Sequence, residues 1–165
     1  MINSKRPLEG FLQRYRFSKA KSYLTGDVLD FGGNDGELRP YVKGTYTLVN
    51  YDHSPMEGKT FDTIVLLAVI EHIEVDEVHK LFRKFKTTLR PGGKIVLTTP
   101  TKLAKPIIDF LSFVGLIDKH NIDEHKHYWS RGDIQRLSDD AGLKLLSHKY
   151  FQGGCNQIAV MGNVS

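Results

Sequence analysis

The feature that most constrains the fold is a glycine-rich stretch at residues 27–38, DVLDFGGNDGEL. Apolar, β-prone residues open it and predict a short strand. The small residues of Gly32–Gly36 then allow a tight turn and a close approach of the backbone. A helix is expected directly afterwards, with Asp35 and Glu37 in its first turn, where the helix dipole favours negative charge. Strand, turn and helix together predict the first half of a nucleotide-binding α/β unit.

The spacing of the glycines distinguishes two classes of ligand. A dinucleotide fingerprint, G-x-G-x-x-G, read from Gly32 requires glycines at two positions that hold Asn34 and Glu37. The carboxylates of Asp35 and Glu37 would also repel a pyrophosphate. A nicotinamide dehydrogenase is therefore the least favoured enzyme class, and a ligand without phosphate is preferred. On this motif alone, a strand–turn–helix that binds nothing stays open as the alternative.

Length and composition indicate one soluble domain. The chain has 165 residues, enough to bury a core without disulfides or metals, and its hydrophobic and charged fractions, 40% and 25%, are typical of globular proteins. Cys155 is the only cysteine, which favours a reducing compartment, and we expect a cytoplasmic location. The start of the chain lacks the apolar core of a signal peptide, and the longest apolar run, Ile64–Ile70, is too short to span a bilayer. The net charge of +4 does not demand a nucleic-acid partner.

The region after the glycine turn predicts a truncated sheet. A short helix is expected at Glu37–Val42 and a second strand at Thr45–Tyr51. Asp52 follows, where Rossmann-like folds place an acid that accepts hydrogen bonds from the ribose hydroxyls. Only eight residues, His53–Thr60, separate it from the apolar run that begins at Phe61. Because a helical crossover needs about a dozen residues, the usual third strand and its helix are predicted to be missing.

The rest of the chain predicts a three-layer α/β/α sandwich with a mostly parallel sheet of about six strands. Further helices are expected at Leu8–Leu24, Val75–Leu89 and Arg131–Ala141, and further strands at Phe61–Leu67, Lys94–Thr99, Leu143–Tyr150 and Asn156–Met161. The last strand should be antiparallel, because a short turn with two glycines precedes it. Basic residues of the first helix, Arg14 and Arg16 among them, predict a solvated face. We expect one domain over residues 1–165, with the N-terminal helix in 1–26 and an insertion at the substrate region in 101–130.

Two neighbouring segments leave alternatives open. Thr101–Ile117 is apolar on nearly all sides, which favours burial in the core or in a homodimer contact over a lid on an apolar acceptor. Contact with a membrane surface is the weakest alternative, because one face would need more basic residues. The following polar segment carries His120, His125 and His127, but their spacing matches no helix-borne metal motif. No metal is therefore expected.

Several motifs, in this order along the chain, resemble those of class I S-adenosylmethionine (SAM) methyltransferases of the small-molecule subgroup. D-F-G-G-N-D-G at 30–36 resembles D-x-G-x-G-x-G, with Asn34 in place of the middle glycine. D-H-S-P-M at 52–56 resembles the motif that begins with the ribose acid, A-V-I-E-H-I at 68–73 the motif that ends the fourth strand, and L-R-P-G-G-K-I-V-L at 89–97 the fifth-strand motif. H-x-Y-W-S before the last helix completes the pattern, which spans roughly residues 8 to 162.

The resemblance implies SAM as the cofactor. It implies these cofactor-binding residues: Asp30, Gly32, Gly33, Asn34, Gly36, Asp52, His53, Leu67 and Ala68. The acid-rich loop suits the sulfonium and ammonium groups of SAM. The usual reader of the adenine amino group has no counterpart, because it lies in the missing third-strand region. Where the acceptor must lose a proton, His127 and His72 are the candidate bases, in preference to His125.

The function predicted from these residues is transfer of a methyl group from SAM to a small-molecule or saccharide-type acceptor by in-line displacement. The alternative is a SAM-binding or degenerate methyltransferase fold that serves as a regulatory or partner protein. The missing third strand and Asn34 favour the alternative, whereas Asp52 and the E-H-I motif favour an enzyme. The chain lacks the N/D-P-P-Y/F motif of enzymes that methylate amino groups of bases, so no nucleic-acid substrate is expected.

Overall fold

A single sheet organises the part of the chain that the computed structural model describes, residues 7–113 and 126–164. Its strands are β1 (Val28–Phe31), β2 (Tyr46–Val49), β3 (Phe61–Leu67), β4 (Leu89–Pro100), β5 (Lys144–Phe151) and β6 (Asn156–Gly162). Their spatial order is β2-β1-β3-β4-β6-β5. The pairs among β1 to β4 are parallel, and β6 runs antiparallel to both of its neighbours. The predicted fold class and the antiparallel last strand are therefore confirmed.

Four α-helices accompany the sheet in the described residues: α1 (Pro7–Ala20), α2 (Val75–Thr88), α3 (Ala104–Phe113) and α4 (Arg131–Asp140). Helix α4 begins with a capping box, in which Ser130 and Asp133 satisfy each other's backbone N–H groups. No helix of the described residues is both long and apolar enough to cross a membrane.

The connection from β1 to β2 corrects one prediction. The helix expected at Glu37–Val42 is absent, and the described chain has turns followed by one 3₁₀ turn, Arg39–Tyr41. Pro40 explains the difference, because it has no N–H to donate and its ring disfavours helical geometry at Arg39 before it. Asp35 and Glu37 therefore do not lie in the first turn of an α-helix.

The connection from β2 to β3 is confirmed as truncated. Both strands pair in parallel with β1, on opposite sides, so the chain must cross the sheet between them. It does so over residues 50–60 with one 3₁₀ turn, Ser54–Met56, and without an α-helix. Met56 is 1% exposed and packs in the core, so it holds this short crossover against the sheet. Residues 50–60, all of them described, contain no strand, as the sequence predicts.

Two apolar clusters cover the two faces of the sheet. The larger one joins inward residues of the strands to α2 and α4, with Phe82, Ile134 and Trp129 fully buried. The smaller one lies under α1, with Phe17 and Ala20 as its buried helical residues. Burial on both faces explains why the central strands read as continuous apolar runs.

The apolar segment after β4 is less buried than predicted. Pro106 lies in the first turn of α3, but Leu103, Ile107 and Phe113 are 65%, 48% and 89% exposed. Burial in the core is therefore wrong for these three side chains. Residues 114–117 lie outside the described residues. The lid, the homodimer contact and the membrane contact stay predictions.

At the amino-terminal edge of the sheet, one arginine forms ion pairs that link β1, β3 and β4. Arg90, at the start of β4, pairs with Asp27 before β1 and with Asp62 of β3, each at 2.6 Å. The hydrogen bond from Arg90 holds the pKa of Asp27 below its usual range. All three side chains are partly exposed, so salt screens the network.

Arg90→Met should lower the thermal unfolding temperature, because it leaves two facing carboxylates without their cation. Since a depressed Asp pKa stabilises the fold above the unfolded pKa of about 3.9, the difference from wild type should be full at pH 7 and shrink below about pH 4. It should also shrink in about 1 M salt. Arg83→Met, on the exposed face of α2, is the control. Equal effects of the two substitutions would contradict a specific role of Arg90.

Candidate functional site

The turn after β1 and the loop after β3 are in contact at the carboxyl edge of the sheet. Gly32 has φ +77°, a left-handed conformation that glycine adopts without strain. A Cβ atom at Gly32 would lie 2.7 Å from Cγ2 of Val69, in the loop after β3. Any side chain at this position would therefore separate the two loops. The contact holds the two loops together at the carboxyl ends of two neighbouring parallel strands. Open α/β sheets bind ligands at such ends.

Asp30 lies beneath the glycine turn. It is 2% exposed, and the Tyr46 hydroxyl donates to its Oδ2 at 2.6 Å. Burial raises the pKa of Asp30 to about 6, and the hydrogen bond from Tyr46 opposes that shift. A Cβ atom at Gly33 would lie 2.2 Å from the same Oδ2, so the turn closes directly over the carboxyl group. Asp30 supports the turn from below, and its predicted contact with a cofactor stays a prediction.

Asn34 preserves the shape of the turn although it replaces a glycine of the motif. Its φ is +49°, in the left-handed region that Asn tolerates better than most residues. Asn50, directly after β2, holds it there through two hydrogen bonds: Asn34 N–H to Asn50 Oδ1 at 3.0 Å, and Asn50 Nδ2 to the Asn34 carbonyl at 2.9 Å. The sequence gives no signal for Asn50, which lies inside the predicted second strand.

Asp52 presents an exposed carboxylate three residues beyond the end of β2. Its Oδ1 accepts the Ser54 N–H at 2.9 Å and its Oδ2 accepts the Ser54 hydroxyl at 2.8 Å. These hydrogen bonds hold the pKa of Asp52 below its usual range. Because each carboxylate oxygen has a second lone pair, both can still accept a ligand hydroxyl. The neighbouring His53 ring packs on Phe31, with ring centroids 5.1 Å apart.

The loop after β3 begins with an unusual backbone conformation. Ala68 has φ +60°, which is rare for a residue with a Cβ atom, and its N–H donates to the Thr98 carbonyl at 2.9 Å. Such strain, of order 1–3 kcal/mol, concentrates at binding sites. Leu67 before it is half-buried. Both residues are predicted to line the cofactor, and this stays a prediction.

The candidate bases His72 and His127 belong to two segments that pack together at the carboxyl edge of the sheet. His72 ends the 3₁₀ turn Ile70–His72 that follows β3. The segment before α4 packs on that turn, since the N–H groups of Lys126 and His127 point to the Glu71 carbonyl at 2.8 and 3.4 Å. His125, the third candidate, lies outside the described residues.

The His127 ring is held by two neighbours in its own segment. Its edge packs on Trp129, with centroids 5.0 Å apart and the rings nearly perpendicular. Its Nε2 lies 3.8 Å from Oδ2 of Asp133, the carboxylate that also caps α4. A carboxylate beside an imidazole is the usual way in which a general base is oriented.

Two charged residues at this edge were not predicted as site residues. Glu71 is 1% exposed, its Oε2 accepts the Thr99 hydroxyl at 3.1 Å, and burial raises its pKa to about 7. Arg16 of α1, expected on a solvated face, is half-buried instead, and its positive charge opposes the rise in the pKa of Glu71. Only the E-H-I motif marks Glu71 in the sequence. Among the described residues, no three His, Cys, Asp or Glu side chains form a metal-binding group.

Comparisons with known proteins agree with this geometry. Residues 5–148 match a family model described as a methyltransferase domain. No curated protein sequence matches the chain. Among solved structures, a SAM-dependent methyltransferase from Archaeoglobus fulgidus is 12% identical with a TM-score of 0.69, and the match covers 92% of this chain and 93% of that one.

Two other solved structures show the same fold. Magnesium protoporphyrin IX methyltransferase (ChlM) from Synechocystis PCC 6803, solved with bound SAH (S-adenosylhomocysteine), is 15% identical with a TM-score of 0.62, covering 93% and 82% of the two chains. The pyocyanin biosynthetic protein PhzM is 13% identical with a TM-score of 0.68. The match covers 97% of this chain but only 59% of PhzM. The family resemblance inferred from the motifs is confirmed, and the chain belongs to the methyltransferase domain family.

Proposed function

We propose that the protein transfers a methyl group from SAM to a small-molecule or saccharide-type acceptor. One observation carries the proposal: the glycine turn after β1 packs against the loop after β3 without room for a side chain at Gly32, and the exposed Asp52 carboxylate follows β2 at the same edge. The turn, the loop and the acid are the three parts that the family uses for its cofactor.

The described residues fit SAM. The Asp52 carboxylate would accept the ribose hydroxyls, and the backbone of Gly32–Gly36 would approach the methionine end. Leu67 and Ala68 would lie along the cofactor through their backbone, and His53 would lie near the adenine. The acidic character of the turn suits the two positive groups of SAM, whose sulfonium supplies the activated methyl group. SAM as the predicted cofactor agrees with ChlM, which was solved with SAH.

The protein's own task in such a transfer is alignment. An in-line displacement at carbon needs the acceptor atom opposite the sulfur, in a site that excludes water. For a hydroxyl acceptor, His127 would take the proton. The carboxylate of Asp133, with Oδ2 3.8 Å from Nε2 of His127, supports this role because it would stabilise the charged ring. His72 is the second candidate for the same role.

The structurally similar proteins favour a small acceptor. ChlM is named for magnesium protoporphyrin IX and PhzM for pyocyanin biosynthesis, both small molecules. A cytoplasmic location remains a prediction of the sequence.

The alternative function is a SAM-binding regulatory or partner subunit without catalysis. The short β2–β3 crossover favours it, because the region that normally supplies an adenine-reading side chain is missing. The turn at Asn34 weakens it, since Asn34 adopts a left-handed conformation accessible to glycine and Asn50 holds it there.

Asp52→Ala should weaken SAH binding about ten- to a hundredfold, because it removes charged acceptors for two ribose hydroxyls. Calorimetry at pH 7.5 measures the dissociation constant, and thermal unfolding checks that the fold is intact. Asp76→Ala, in the first turn of α2, is the matched control. If wild type does not bind SAH, the proposed cofactor is wrong, whereas an unchanged constant in the variant would make Asp52 a turn residue only.

His127→Ala should lower methyl transfer about 10²–10⁴-fold while SAH affinity stays unchanged, because a general base acts on the acceptor and not on the cofactor. Transfer from tritiated SAM is measured against a panel of phenols and sugars. His79→Ala is the control, since His79 pairs with Asp140 between α2 and α4. A parallel loss of SAH affinity would show that His127 only supports the structure.

A further inference from the structure

The glycine turn after β1 is not followed by an α-helix, so other parts of the chain must hold its shape. Residues 37–42 form turns and the 3₁₀ turn Arg39–Tyr41. A turn of small residues has many accessible conformations, and ordering it costs entropy unless neighbouring groups fix it. Three of its residues, Gly32, Asn34 and Gly36, have positive φ. The contacts of the turn with strand β2 show which groups fix it.

Tyr46 of β2 contacts both ends of the turn through one hydroxyl group. It donates to Oδ2 of Asp30 at 2.6 Å, and a Cβ atom at Gly36 would lie 3.3 Å from the same hydroxyl oxygen. The guanidinium carbon of Arg39 lies over the Tyr46 ring, 5.9 Å from its centroid. Burial and the hydrogen bond to Asp30 raise the pKa of Tyr46, so the phenol stays protonated and keeps donating at neutral pH.

Asn50, directly after the same strand, holds the middle of the turn. Its side-chain amide both accepts from the backbone N–H of Asn34 and donates to the Asn34 carbonyl. The N–H of Gly32 donates to the Val49 carbonyl at 2.7 Å, so the attachment to β2 continues through the backbone. Because a Cβ atom disfavours the left-handed conformation, the two hydrogen bonds from Asn50 compensate the strain at Asn34.

We propose that Tyr46 and Asn50 are positioning residues that hold the glycine turn, Gly32–Gly36, in the conformation that binds the cofactor. They take over the support that a helix after the turn would give. Neither residue is assigned contact with the reacting atoms. The proposal rests on the proposed function only for the identity of the ligand that the turn binds.

The first test is a double-variant cycle at Asn34 and Asn50, read as the dissociation constant of SAH at pH 7.5. Asn50→Ala should weaken binding about tenfold, because fewer molecules then keep Asn34 left-handed. Glycine adopts that conformation without strain. Asn34→Gly/Asn50→Ala should therefore bind within about threefold of Asn34→Gly alone. An equal loss in both backgrounds would overturn the role of Asn50.

The second test is the titration of Asp30, read from its side-chain carboxyl carbon by NMR and assigned by its loss in Asp30→Asn. In wild type the midpoint should lie near pH 6. Tyr46→Phe should raise it, because the buried carboxylate loses its donor, and should weaken SAH binding about fivefold at pH 7.5. Tyr150→Phe, at an exposed tyrosine of β5, is the control and should change neither value. An unchanged midpoint in Tyr46→Phe would overturn the role of Tyr46.

The third test reads the turn itself in the protein without ligand. The N–H of Gly36 donates to the Gly33 carbonyl at 3.0 Å, inside the turn. Its hydrogen exchange should become at least about tenfold faster in Asn50→Ala and in Tyr46→Phe, while the amides of β3 keep their protection. Unchanged exchange at Gly36 would overturn the proposal. Failure of wild type to bind SAH would reject the proposed function, while the titration and the exchange would still decide whether these residues hold the turn.

Discussion

The site depends on a contact that leaves no space between two loops. The turn after β1 touches Val69 at Gly32 and closes over the Asp30 carboxyl at Gly33. Both contacts need glycine, because a single methyl group would collide with its neighbour. Since β1 and β3 are adjacent parallel strands, this packing brings the loops that follow them together at the carboxyl edge of the sheet. Helix α1 and the segment before α4 lie around these two loops.

The protein has a methyltransferase fold in which the connections before and after β2 are short. The chain returns from β1 to β2 and from β2 to β3 through 3₁₀ turns and not through helices. Met56 and Leu38, both 1% exposed, insert from these connections into the two apolar clusters. One or two buried residues in each connection therefore take the place of a helix, since Val42 is buried beside Leu38, and α1 covers the same face of the sheet.

The sequence predicts the strands and their directions well, because their signals are local. Apolar runs mark β3 and β4, two glycines mark the hairpin before β6, and a count of residues after Asp52 shows that no helical crossover fits. The helix expected at Glu37–Val42 is wrong because Pro40 overrides a favourable first turn. The role of Asn50 and the burial of Glu71 could not be predicted, since each depends on contacts with residues distant in the sequence. Polar pairing of this kind leaves no periodic pattern in the chain.

The central claim is that the ends of β1, β2 and β3 form one SAM site. Amide chemical-shift mapping with SAH tests it most directly, because it reports every residue at once and needs no acceptor. We expect shifts concentrated at Gly32–Gly36, Asp52–Ser54 and Leu67–Val69, and none on the outer face of α2. Shifts centred elsewhere, or none at millimolar SAH, would contradict it.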